Sequence, residues 1–502
     1  MRHAKILHAA EIYDGTGSAP FSGFVALSAD GTIAGIGNDS ELTAFLKTHP
    51  WPVKELGHAA ITPGWYDSSV FFPGFVVQRI GCDLSKCLTM EECVEQMAAP
   101  EAEINGILFG HSAPPCALGN HRTELDRAFP DRPAVLLSHS RYACSMNTAA
   151  VEHLHFTEET CYSEAYAALF SALLADDALF DHWYQAFDSY LLSNGITAAR
   201  DIAYDDMEGR PERIRRLQES DLIHVKLALV SQPNAAEPNF ETLIRYQKCF
   251  QTPALRFTGL KLMVDDMTVF GNEDSFCRPK KQDAYLTLEQ WVREADARGL
   301  RVSLHADGDR AVAWCVSLLS SLPHRRTLRH SIISASLIQD ADAETIREEG
   351  LVLELYPTLI GALHENIVSA DFIHKEFLQA YLTAEEQTRY LNYRRLAEIG
   401  VPLCCGSDLP YMPFGPAASV RYAVDRIDAF GQTYQPENGL TLPQLIQAWT
   451  AGGHSAIGLA GGVLQAGSPA DLVVMNKSLS KPDAAVSETY VDGRLVYKAA
   501  PA

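Results

Sequence analysis

The chain has 502 residues, room for one large domain and a smaller companion, and its 47% hydrophobic and 21% charged residues are those of a folded globular protein. A formal net charge of -22, from 63 acidic and 41 basic side chains, argues against nucleic acid and anionic lipid as partners. No apolar run approaches the roughly 20 residues that span a bilayer, and the start lacks the apolar core of a signal peptide, so a soluble cytoplasmic protein is expected.

The first sixty residues predict short strands at 5–7, 24–27, 33–37, 53–55 and 59–62, with a tight turn at Asp30-Gly31. The C-terminus has the same character, with strands at 471–475, 488–491 and 494–497 and a turn at Asp492-Gly493. These two end segments, 1–62 and 464–502, are expected to pair into a small β-sandwich. Between them strand-like runs alternate with helical patterns. Strands are predicted at 134–137, 197–200, 223–230, 259–263, 301–304, 327–329, 351–355 and 401–405, each with a helical stretch after it. Parallel strands with crossover helices give an α/β fold, most economically a distorted (β/α)₈ TIM-like barrel over 63–463. Segments near 90–127 and 157–194 are read as insertions over the barrel mouth. Eleven cysteines occur without a CxxC pair and read as buried thiols in a reducing compartment.

Catalytic side chains of such barrels stand at the C-terminal ends of the strands. That position selects Lys261 after Phe257-Thr258-Gly259-Leu260, His305 after Val302-Ser303-Leu304, His330 after Thr327-Leu328-Arg329, and Asp408 after Cys404-Cys405-Gly406-Ser407. A lone His on a strand is ordinarily a satisfied structural residue, but two on consecutive strands can share a borderline cation such as Zn²⁺. An Asp facing the metal-bound water could accept its proton and pass it to a leaving amine. Asp309-Arg310 reads as a helix cap. Arg141 and Tyr142 are candidates for orienting a polar or anionic substrate.

These residues, with Ile61-Thr62-Pro63-Gly64-Trp65-Tyr66-Asp67, His305-Ala306-Asp307-Gly308-Asp309-Arg310, Gly406-Ser407-Asp408 and Gly467-Ser468-Pro469-Ala470-Asp471, resemble the amidohydrolase superfamily, in particular its YtcJ-like branch, amidohydrolase family 3. The resemblance covers nearly the whole chain. It implies a barrel with a small β-sandwich, divalent metal at the mouth, and hydrolysis of amides, formamides or cyclic ureas. Carried over, Lys261 matches a carboxylated bridging lysine, His305 and His330 match metal ligands, and Asp408 matches the general acid/base. The family's His-x-His appears here as Ser69-Val70-Phe71, its substrate-facing His falls on Tyr142, and a Gly after the Lys motif is Asp266. With both imidazoles gone from positions 69 and 71, a binuclear centre is not expected.

Three readings follow. The leading one is a hydrolase of a small-molecule C–N bond (amide, formamide or cyclic amide), with one divalent metal, zinc, held by His305, His330 and carbamylated or neutral Lys261. The second is lyase or isomerase chemistry using Asp408 with a metal or the Lys261 amine. The third is a catalytically inactive binding or regulatory homologue. A small-molecule substrate and a homodimer are the expected partners.

Overall fold

The computed structural model describes residues 3–119, 121–138, 144–155, 163–203, 209–233, 237–265, 282–362, 382–410, 415–428 and 431–500. Eight parallel strands form the central sheet: β1 (Trp65–Val70), β2 (Ile196–Ala203), β3 (Lys226–Ser231), β4 (Leu255–Met263), β5 (Arg301–Ala306), β6 (Ser331–Ser334), β7 (Val352–Leu355) and β8 (Leu403–Cys405), paired in chain order. The sheet closes where Val70 bridges Leu409 in parallel and the Phe71 N–H donates to the Leu409 carbonyl at 2.9 Å. The expected barrel is therefore present.

Two strand assignments are corrected. Ala134–Ser138 lies outside the barrel, in a separate five-stranded sheet with Cys82–Asp83, Glu103–Ile104, Ile107–Ala113 and Cys144–Met146. Its apolar run is buried between other layers, and a short apolar run by itself does not say which sheet buries it. Residues 327–329 are not a strand either. Arg325–Leu328 is a helical turn, Arg329 has a left-handed φ of 52°, and β6 begins only at Ser331. Ser331-Ile332-Ile333-Ser334 carries the β-branched pair that forms the strand.

The two chain ends share one sheet. Ala60–Pro63 pairs antiparallel with Leu472–Met475, which joins Lys5–Ile12, Phe21–Leu27 and Ile33–Asn38 to Val486–Val491 and Arg494–Lys498. Lys226 at the start of β3 ties that sheet to the barrel through Asp471 at 2.6 Å and Asp492 at 2.8 Å. Helices Ser163–Leu173 and Asp177–Ser193 cover the part of the chain read as a second insertion.

Among the described residues no helix is long and apolar enough to cross a membrane.

Candidate active site

At the end of β1 the chain turns into the helix Phe72–Val77, all six residues of which are buried. Phe72 packs on Tyr184 with ring centroids 4.4 Å apart, Phe75 on Phe187 at 5.1 Å, and Phe71 on Phe170 at 5.8 Å. Full burial of a Phe side chain stabilises by about 1.5–3 kcal/mol, so this stretch is built as core. Phe71 belongs to that aromatic cluster, whereas Ser69 faces the barrel mouth. The Ser69 hydroxyl lies 3.5 Å from the Asp408 Oδ1 and 3.5 Å from the Tyr356 hydroxyl. Gly406 allows this approach of β8 to β1: a Cβ there would stand 2.8 Å from the Ser68 Oγ and 3.1 Å from the Ser69 backbone nitrogen.

Asp67 supports the same corner from beneath. Its Oδ1 accepts the Ser69 N–H at 3.0 Å and the Ser407 N–H at 2.9 Å, so one carboxyl oxygen fixes both the β1 end and the β8 end. Burial pushes its pKa up to about 7, against the lowering effect of those hydrogen bonds.

Lys261 is 4% exposed on β4, level with Ser303 of β5. Burial lowers its pKa to about 8; Asp408 acts in the opposite sense and Arg200 adds to the lowering. Gly259, two residues earlier at φ 138°, brings β4 against β5: a Cβ there would meet the Arg301 carbonyl at 2.0 Å. The barrel floor next to Lys261 is ionic. Arg200 holds Glu354 through two hydrogen bonds, one of them 2.9 Å long, and also donates to the Ser68 carbonyl at 2.7 Å. Arg301 reaches the same carboxylate at 3.1 Å and Ser331 donates to it at 2.5 Å. Burial alone would raise the Glu354 pKa; the two guanidinium groups instead hold it down at about 2.

His305 stands at the end of β5, with its Nε2 3.1 Å from Asp307 Oδ2. The other oxygen of Asp307 accepts from the hydroxyls of Ser334 and, at 2.7 Å, Ser336. The residue of β6 level with His305 is Ile333, which packs with Tyr356.

His330 is not a partner of His305, and this corrects the expected ligand pair. It precedes β6 and is level with Val302, three residues or about 10 Å upstream of His305 along the sheet. Its Nδ1 accepts the Val302 N–H at 2.9 Å and its Nε2 bonds Asp296 at 2.9 Å, in the helix Gln282–Ala297. Both ring nitrogens are used, and the ring is fully buried. Asp309 occupies the first turn of the helix Asp309–Ser320, whose cap position is Gly308 and not Asp309. Arg141, Tyr142 and Asp266 lie outside the described residues.

The site therefore brings together Ser69, Lys261, His305, Tyr356 and Asp408. Glu354 and Tyr356 were not foreseen, although a carboxylate inside the apolar run Leu351–Leu355 is a signal, since a buried charge requires partners. The sequence model of the amidohydrolase family matches residues 79–497. The chain belongs to the amidohydrolase family. This amidohydrolase is 22% identical to the putative amidohydrolase YtcJ of Bacillus subtilis over 93% of this chain and 95% of the relative. Its fold matches crystal structures of uncharacterized metal-dependent hydrolases from Pyrococcus furiosus (TM-score 0.72, 18% identity, 95% of this chain and 100% of that one) and Pyrococcus horikoshii (TM-score 0.73, 16% identity, 99% and 100%). Membership of the family supports hydrolase chemistry.

The donors of this amidohydrolase do not fit a catalytic metal ion. The neighbouring positions offer a hydroxyl at Ser69, hydrocarbon at Phe71 and Ile333, and an amine at Lys261, leaving His305 as the one imidazole at the strand ends among the described residues. Among those residues no group of three His, Cys, Asp or Glu side chains could hold a metal ion.

Proposed function

We propose that this amidohydrolase hydrolyses a C–N bond of a small molecule, an amide or cyclic amide, with Asp408 as the proton-transfer group. The observation that carries the reading is the placement of the Asp408 carboxylate at the barrel mouth, 3.5 Å from Ser69, with the buried Lys261 close enough to feel its charge. Asp408 takes a proton from water as the water attacks the carbonyl carbon, then returns it to the leaving nitrogen. Lys261 carries a proton at neutral pH and stabilises the oxygen that becomes negative in the tetrahedral intermediate. Burial keeps the Tyr356 phenol protonated, which leaves it a donor toward the same region. The substrate is a small molecule, and a homodimer is the assembly proposed. The single zinc ion and the carbamate of Lys261 have no part in this scheme.

A panel of small amides, formamides and cyclic amides tests the reading. Turnover lost in Asp408→Asn supports it. Turnover that survives in Asp408→Asn refutes it.

A second reading rests on Ser69 and Phe71. With a hydroxyl and a core-packed ring where the family has two imidazoles, the mouth suits a pocket that binds a small molecule without turning it over, and ligand-induced stabilisation without product formation would favour it.

A further inference from the structure

Three cations converge below the mouth. Arg200 and Arg301 share the single carboxylate of Glu354, and Lys261 lies beside them within electrostatic reach of Arg200 and Glu354. The floor is thus net positive. Above it stand Asp408 and the Asp307 carboxylate paired with His305, while Asp67 is held toward its neutral form by burial. A divalent cation placed over this floor would meet like charge at short range in a medium of low dielectric, and the side chains around it supply one imidazole. A developing oxyanion or a carboxylate would meet the opposite field.

We propose that the ammonium group of Lys261 stands in place of the catalytic cation, so that this amidohydrolase receives a carbonyl- or carboxylate-bearing small molecule without a metal ion. The inference rests on the mouth being the reaction centre proposed above, but its test reads metal binding and not turnover. Each change at the mouth fits the substitution. Phe71 has moved into core packing with Phe170, Ile333 faces His305 from the neighbouring strand, and the His305 Nε2 is engaged by Asp307. The remaining carboxylate, Asp408, is then left to accept protons.

The experiment is calorimetric titration of the chelator-treated full chain with Zn²⁺ and with Mn²⁺, with and without bicarbonate, together with elemental analysis after dialysis. Wild type is expected to show no saturable one-to-one binding and only trace metal. Lys261→Glu, which exchanges the cation for a carboxylate on the strand next to that of His305 and within the electrostatic reach of Asp408, is expected to gain one equivalent of Zn²⁺ that Lys261→Glu/His305→Ala loses. One equivalent bound by wild type and lost in His305→Ala overturns the proposal, and so does binding that appears only with bicarbonate, the signature of a lysine carbamate. A folded Lys261→Glu that stays metal-free also overturns it. If that variant does not fold, the wild-type titration decides. Failure of the hydrolytic reading shows separately, as absence of product from every amide tested with the metal titrations unchanged.

Discussion

The imidazole of His330 bonds Asp296 at 2.9 Å on one side and accepts the Val302 N–H on the other, which locks β5 and β6 to the helix outside them. Accepting a backbone N–H at Nδ1 requires the neutral tautomer with its proton on Nε2. Burial lowers the His330 pKa to about 4, against the raising effect of Asp296. The unfolded chain then binds this proton more readily than the folded one. The lock is complete above about pH 6.5 and is lost as pH falls toward 4, a change on the order of 3 kcal/mol. Urea unfolding across this range should show that loss in wild type and a flatter profile in His330→Asn.

Asp67 titrates in the opposite sense. Its carboxyl is neutral in the fold up to about pH 7 and ionised in the unfolded chain above about pH 4. Its contribution is full below the unfolded pKa and is lost as pH rises through the folded value, on the order of 4 kcal/mol in all. Asp67→Asn should leave the unfolding midpoint almost unchanged at pH 4 and raise it at pH 8. An equal shift at both values would contradict this role.

Glu354 is the shared anion of the barrel floor. Glu354→Gln leaves Arg200 and Arg301 facing each other without a counter-charge, and breaking a buried ion pair from one side costs about 3–5 kcal/mol. Equilibrium unfolding of the variant should register that loss. Wild-type stability in Glu354→Gln would remove the floor from the account.

Much of the fold could be read from the chain because the alternation of apolar runs and helical patterns is strong from Ile196 to Cys405, and the end segments carry clear turns at Asp30-Gly31 and Asp492-Gly493. The site was harder to read at one strand. Thr327-Leu328-Arg329 and Ser331-Ile332-Ile333-Ser334 are neighbouring short runs, and choosing the first places His330 at a strand's C-terminal end, whereas the second places it before the strand begins. A shift of a few residues thus moves an imidazole from the mouth to the opposite end of the strand. Ala134–Ser138 misled for a different reason, since its burial comes from a second sheet. Lys261, His305 and Asp408 each lie within three residues of the C-terminal end of β4, β5 or β8, strands whose places in the chain were expected.

The most direct measurement is the steady-state rate on a cleavable amide in excess chelator, compared between wild type and Asp408→Asn. The account predicts that chelation leaves the wild-type rate unchanged and that Asp408→Asn lowers it by about 10²–10⁴-fold with the melting temperature preserved. A wild-type rate abolished by chelator and restored by zinc would contradict it.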